Sequence, residues 1–389
     1  MKAYKISEDI YWVGVIDWNL RSFHGYSTDK GTTYGAYIIL DEKVTLIDNV
    51  KEGFAEEMVR RIADVVDPTK IEIIISNHGE PDHSGSLPLL LKLAPKAKVY
   101  SSSPNGVKIL NEIHGELPII PVKTGDKLSI GKRTLEFYQA PLVHWPDNMV
   151  TYAIEDRILF SNDIFGQHYA SSKLFDGEND LPTILHEAKK YYANIVLPHT
   201  RSAKKAFDAL SGLDIKMIAT SHGVIWRDHI SSIINLYDNL VNYRKNEKAV
   251  IVYDSMWGNT ELMARAITDA FMEKGIEARL YNVNATDDSD IIADIVDAKY
   301  IAVGSSTLNN TMLPPIAGFL YYLKGLAPVD LEYIAFGSYG WGGQSVSQIA
   351  EILDSMKFKP LIPMQKVLYN PKEEDLKNLK NTIFEVLNK

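Results

Sequence analysis

Four residues with metal-binding side chains, His78, Glu80, Asp82 and His83, stand within six positions, directly after the β-branched run Ile71, Ile73, Ile74 and Ile75. Two imidazoles and two carboxylates on one loop add charge repulsion and no packing. A fold that keeps them together is therefore expected to bind a cation there. Carboxylates among the ligands shift the preference from borderline-soft zinc toward harder iron or manganese.

The rest of a binuclear set stands downstream. His144 follows the strand-like run 134–138, Asp163 follows Ile158-Leu159-Phe160, and His222 closes the apolar run 216–221. Each segment has the same grammar, an apolar strand and then a ligand just past its end, so one sheet edge could carry them all. A lone His or Asp in such a place is usually a turn former; the constellation is what argues for a metal site. His114, His186, His199 and His229 read as surface or helix residues and receive no role.

A chain of 389 residues exceeds one ordinary core and predicts at least two domains. No run approaches the ~20 apolar residues needed to span a bilayer. The first residues lead directly into strand-like sequence, so a cytoplasmic location is expected. Zero cysteines rule out disulfides, thiolate zinc sites and any Cys-ligated iron-sulfur or rubredoxin-type centre in this chain. A net charge of −9 offers no basic footprint for nucleic acid.

The apolar spacing at 228–243 predicts a helix, and 244–248 a short charged hinge. Beyond it strands and helices alternate regularly, which implies a parallel sheet with crossover helices. Strands are predicted at 249–253, 278–283, 299–304, 332–337 and 361–368, with a last helix at 373–388. The expected domains are therefore 1–248, a mixed sheet between helical layers, and 249–389, a five-stranded doubly wound α/β domain.

The first predicted strand of that second domain runs into Ser255, Met256, Trp257, Gly258, Asn259 and Thr260 before a helix begins. Backbone N–H groups, hydroxyls and the positive helix end converge there, which suits a phosphate. The loop lacks both the dinucleotide glycine pattern and the Gly-Lys-Ser/Thr of nucleotide hydrolases, so a mononucleotide is expected. Two later loops end strands of the same sheet, where ligands of open α/β folds bind. The first carries Ser306, Thr307, Leu308, Asn309 and Asn310; the second carries Ser338, Tyr339, Gly340, Trp341, Gly342 and Gly343. Trp257, Tyr339 and Trp341 offer faces for a planar ring.

The ligand loop resembles that of the metallo-β-lactamase superfamily with Glu80 in place of its second histidine, and the three later loops resemble those of flavodoxin. In this order the two halves resemble the flavodiiron proteins over essentially the whole chain. That resemblance implies an αββα sandwich followed by a flavodoxin-like domain, two iron ions and FMN. It implies one iron on His78, Glu80 and His144, the other on Asp82, His83 and His222, and Asp163 bridging. It also implies a histidine and a tyrosine near the irons, for which His24 and Tyr191 are nominated. The implied activity is four-electron reduction of O2 to water, or reduction of NO, in a head-to-tail homodimer or a dimer of dimers. Electrons would come from a separate rubredoxin, or from a reduced deazaflavin. One departure is Trp257, where short-chain flavodoxins usually carry a hydroxyl. The rival readings are a binuclear zinc hydrolase, against which Glu80 and the flavin domain speak, and a degenerate metal domain that merely carries an electron shuttle.

Overall fold

The computed structural model describes residues 1–388. Residues 1–191 with 199–241 form one compact unit, and 192–198 with the chain from 242 onward form the other.

The first unit is built on two sheets. Seven strands make the larger one, in the order Tyr4–Ser7, Ile10–Trp12, Tyr37–Ile39, Thr45–Ile47, Ile73–Ser76, Lys98–Ser102 and Ile119–Val122. Its first half is antiparallel; from Thr45–Ile47 onward the strands run parallel. The smaller sheet has five strands, Lys127–Ser129, Thr134–Gln139, Met149–Ala153, Ile158–Asn162 and Met217–Thr220. Alternation along each strand decides which core a side chain enters. Ile73 and Ile75 join Trp12, Ile47, Phe137, Phe160 and Ala219 between the sheets. Ile74, Leu46 and Ile38 face the other way, onto Met58, Ile62, Leu87, Leu90 and Leu110 of the covering helices. Because Ile73–Ser76 is buried on both faces, Ile73, Ile74 and Ile75 run on without a polar residue between them rather than alternating. Helices Leu181–Tyr191, Thr200–Leu210 and Ile230–Val241 complete the αββα sandwich.

The second unit is a parallel sheet in the order Glu277–Asn282, Asn246–Asp254, Ala298–Ser305, Glu332–Tyr339, Gln365–Leu368. Swapping the first two strands while the rest follow in sequence is the flavodoxin-like order, with its ligand crevice where the order reverses. Ala249, Ile251 and Tyr253 meet helices Asn259–Glu273 and Glu373–Leu387 through Met263, Ile267, Phe271, Leu379 and Ile383. The alternate residues Val250 and Val252 point to the opposite face, where helices Asp288–Ile295 and Pro314–Leu326 lie.

Two expectations need correction. The charged hinge is mostly strand, which starts at Asn246. Its two lysines are pinned rather than solvated: Lys248 is buried against Asp294 and Asp297, and the Lys245 ammonium donates to the Val296 carbonyl at 3.0 Å; the Asn246 N–H donates to the Asp297 carbonyl at 2.7 Å. The predicted strand 361–368 is two pieces, Lys359–Pro360 and Gln365–Leu368, both paired with Glu332–Tyr339. Pro360 and Pro363 cannot donate to a ladder, which is why the run breaks. No described helix is long and apolar enough to cross a membrane.

Candidate functional site

Four strand ends deliver the ligand candidates of the first unit to one place. Strand Ile73–Ser76 leads to His78 and Glu80, and Pro81 then starts the short helix Pro81–Ser84 that carries Asp82 and His83. His144 sits in the connection before Met149–Ala153, Asp163 follows Ile158–Asn162, and His222 follows Met217–Thr220. His78, Glu80, His144 and Asp163 form one cluster of donor atoms, and Asp82, His83 and His222 form a second. Asp163 faces both. Its Oδ2 lies 3.5 Å from His144 Nε2 and 3.7 Å from His78 Nε2, while its Oδ1 lies 3.0 Å from His83 Nε2 and 3.6 Å from His222 Nε2.

Whether these residues suit cations is decided by how their atoms point. His83 Nε2, His144 Nε2, His222 Nε2 and both oxygens of Asp82 and Asp163 are out of solvent and make no hydrogen bond, although opposite charges lie 3.0–3.2 Å apart in several pairs. Neighbours that close and yet not bonded to each other are aimed at common points. Ligand bonds of ~2.1 Å at right angles put adjacent donors about 3 Å apart, which is the spacing found. The outer nitrogens are fixed to match. His78 Nδ1 is 3.0 Å from Asp147 Oδ2, and His222 Nδ1 donates to the Thr33 carbonyl at 2.7 Å, so each ring turns its Nε2 inward, that of His222 unpartnered and that of His78 3.1 Å from Glu80 Oε2. Burial raises the cost of charge here, but the opposed groups outweigh it. Burial pushes His83 down, yet Asp82 and Asp163 bring it up to about 9; Asp163 is held well below the usual carboxylate range by His83, His78 and His144 despite its burial.

In the second unit, strand Asn246–Asp254 ends in the loop that enters helix Asn259–Glu273. Gly258 is the N-cap, in a left-handed conformation at φ +81° and with no side chain capping the helix. The first N–H groups of the helix are thus left for a ligand. The Ser255 hydroxyl is out of solvent and unpartnered, another group that a phosphate would satisfy. Thr260 Oγ1 ties the three loops together, 3.1 Å from Ser306 Oγ and 3.0 Å from Ser338 Oγ. Above this hydroxyl floor opens a cavity of about 230 Å³ lined by Met256, Trp257, Asn259, Ser306, Thr307, Ser338, Tyr339, Gly340 and Trp341, together with Tyr369 from a fourth loop. Trp257 and Trp341, 86% and 90% exposed, present their indoles at the cavity rim.

Other residues expected at this pocket lie beside it. Leu308, Asn309 and Asn310 belong to a hairpin between Thr307–Leu308 and Thr311–Met312, whose turn puts Asn309 at φ +52° and Asn310 at +61°. Asparagine tolerates that conformation, which accounts for the pair locally. Gly343 caps helix Gln344–Ser355, and the space a Cβ would need at Gly342 is taken by the Gln344 side chain.

Comparison with known proteins separates a flavin-linked diiron enzyme from a zinc hydrolase with an unrelated appendage. Residues 33–223 match the model of the ODP family beta lactamases, and 251–382 that of flavodoxin. The chain is 42% identical to a nitric oxide reductase of Moorella thermoacetica, over 95% of this chain and 94% of the relative. It is 41% identical to the rubredoxin-oxygen oxidoreductase of Megalodesulfovibrio gigas, over 98% of this chain and 96% of the relative. The chain belongs to the flavodiiron proteins. Its structure superposes on that of the flavodiiron protein from Giardia intestinalis with a TM-score of 0.96, at 36% identity and over 100% and 96% of the two chains. The cofactors of that family, a pair of irons and FMN, correspond to the two sites described.

Around the metal centre of this flavodiiron protein stand groups that sequence reasoning found in part. His24, on the hairpin of Ser22–Phe23 and Tyr26–Ser27, puts Nε2 2.7 Å from Glu80 Oε1 and leaves Nδ1 buried and unpartnered. The Tyr191 hydroxyl is buried without a partner, and burial first, then Asp163, pushes it well above the ordinary tyrosine value. His168 went unassigned, yet its ring lies 4.8 Å from that of His222 and 5.1 Å from that of Tyr191, with Nδ1 2.8 Å from Thr32 Oγ1. Its sequence signal was its place five residues past Asp163 on the same connection. Asp147 and Asp48 went unassigned too. His114, read as a surface or helix residue, ends the helix Asn105–His114, half-buried, with Nε2 2.9 Å from the Ser84 hydroxyl on the short helix Pro81–Ser84.

Proposed function

We propose that this flavodiiron protein reduces O2 to water by four electrons, with reduction of NO to N2O as the alternative on the same site, and that it protects the cytoplasm of an anaerobe from oxygen. The observation that carries the reading is the pair of donor sets with Asp163 presenting one oxygen to each. His78, Glu80 and His144 would hold one iron, Asp82, His83 and His222 the other, and Asp163 would bridge. Ser255 to Thr260, Ser306, Thr307 and Ser338 to Trp341 would hold FMN, phosphate toward Ser255, Thr260 and the helix start. When bound, the irons supply two electrons and open positions for a diatomic ligand, and FMN supplies the other two electrons.

The chain's own residues do the rest. Asp147 and the Thr33 carbonyl keep His78 and His222 in the tautomers whose Nε2 atoms face inward. His24 hydrogen-bonds one oxygen of Glu80, leaving the other, which lies 3.1 Å from His78 Nε2 and from His144 Nε2, for the metal. His24 Nδ1 and the Tyr191 hydroxyl, both unpartnered, are the groups we assign to hydrogen-bond the substrate. Burial excludes bulk water, which strengthens each of these contacts.

FMN and irons must be close for electrons to pass, and the arrangement we favour is a head-to-tail homodimer, alone or as a dimer of dimers, with the flavin of one chain beside the metals of the other. The donor we favour is a separate rubredoxin, since the Megalodesulfovibrio gigas relative is named for one and this chain has no cysteine to carry such a centre. A reduced deazaflavin is the alternative, and stopped-flow reduction of the FMN by each donor distinguishes them. The reading is tested by iron, zinc and FMN content of anaerobically purified protein, followed by O2 and NO consumption. One iron per donor set and O2 uptake without peroxide release are expected; zinc that iron cannot replace would return the chain to the hydrolases. Faster turnover of NO than of O2 would select the alternative substrate.

A further inference from the structure

We propose that Tyr369 is a contact of the flavin ring, closing the side of the pocket that the three strand-end loops leave open. It rests on the flavin reading of that pocket and adds a residue from a fourth loop. Tyr369 follows the strand Gln365–Leu368 and lines the same cavity as Trp257, Tyr339 and Trp341. Its backbone is left-handed at φ +57°, a conformation that costs a bulky residue on the order of 1 kcal/mol and persists only where surroundings enforce it. What enforces it is the pairing of Leu368 with Tyr339, and the Tyr369 N–H donating to the Tyr339 carbonyl at 2.7 Å. The ring is thereby held over the Tyr339–Trp341 loop, with Cε1 3.8 Å from where a Cβ on Gly340 would stand. Yet it remains 65% exposed and covers no core. A left-handed backbone that holds a mostly exposed aromatic ring at the rim of a cavity is accounted for by a planar ligand that covers its free side. The polar groups below identify that ligand's other end: the unpartnered Ser255 hydroxyl and the uncapped helix start suit its phosphate.

An electron-rich ring face beside the flavin disfavours the negative charge that reduction adds. A Tyr369 ring packed on the flavin is therefore expected to lower its midpoint potential as well as to hold it.

The test compares the full-length protein with Tyr369→Ala and Tyr369→Phe by FMN titration, flavin emission and dye-equilibrated potentiometry. Expected for the alanine variant are roughly 3- to 10-fold weaker FMN binding, the size of one aromatic contact, with brighter flavin emission and a more positive potential. The phenylalanine variant, which keeps the ring, is expected to match the parent in all three. Parent-like affinity, emission and potential in Tyr369→Ala overturn the role of Tyr369 and leave the flavin site standing. A parent protein that does not retain FMN overturns the flavin reading itself, and this inference with it.

Discussion

Asp147 is the residue whose removal says most about the proposed metal centre, because it touches the loop of candidate ligands without being one of them. Its carboxylate holds His78 Nδ1 at 3.0 Å and accepts from the Gly79 N–H at 2.6 Å. Asp147→Ala frees the His78 ring to rotate, and iron retention against a chelator is expected to fall 10- to 100-fold, with the fold intact by circular dichroism. A second prediction concerns protons that stand in for the metals. With His83 at about 9 against an ordinary 6.5, its stabilising contribution is complete below pH 6.5 and is lost as pH rises through 9. Asp163 has the opposite sign: its contribution is complete above 3.8 and is lost on acidification. Chelator-treated protein is therefore expected to melt at lower temperature at pH 9.5 than at pH 6, and iron-loaded protein to lose much less over that interval. Equal losses would mean that the cluster does not couple protons to folding. The cluster of ligand candidates was legible in the sequence because four of them crowd one loop. Asp147 was not, because a single aspartate in a turn carries no signal until its partner, 69 positions earlier, is brought beside it.

The strands that carry the ligands are tied together at their ends by Asp48, which follows Thr45–Ile47. It accepts from Asn77 N at 2.8 Å, from Asn77 Nδ2 at 2.9 Å and from Asn162 Nδ2 at 3.4 Å, and Asn162 Nδ2 also reaches Ser221 Oγ at 3.2 Å. Asn77, Asn162 and Ser221 each directly precede a candidate ligand, so a single buried carboxylate ties together the three segments that carry them. Burial pushes its carboxyl up, and these donors oppose that shift. Asp48→Ala leaves the Asn77 groups buried and unsatisfied, and a loss of about 2–4 kcal/mol is expected. Urea unfolding would register it as a lower midpoint at unchanged slope, and iron content would fall in parallel. The strand and helix pattern was readable where apolar periodicity ran long, as in Glu277–Asn282, Ala298–Ser305, Ile230–Val241 and Glu373–Leu387. It failed at the 246–248 strand start, where buried ion pairs made charged residues look like a linker, and at the proline-broken last strand. The hairpin that carries His24 has two-residue strands, too short for any period to appear.

At the scale of the whole molecule, the question is whether electrons cross from flavin to irons within one chain or between two. Electron transfer weakens steeply with distance, so only one of these routes sustains turnover, and paired inactive variants discriminate between them. Asp163→Ala removes the residue shared by both donor sets and keeps the flavin pocket; Thr260→Ala removes the hydroxyl that joins the three flavin loops and keeps the metal centre. Each alone is expected to be nearly inactive. In a head-to-tail dimer, the heterodimer of the two has one centre where an intact flavin meets intact irons, and one where both are damaged. Random exchange makes half of the dimers mixed, and half of their centres work, so activity is expected to recover to about a quarter of the parent value per chain. If electrons stay within a chain, every chain in the mixture carries one lesion, and the mixture gives no more than the average of its parts. Subunit exchange must be verified independently, by mass-tagged chains that co-elute. With exchange verified, recovery would assign the site to the dimer rather than to the chain, and the two units of one sequence would then have to be read as halves of two different active sites.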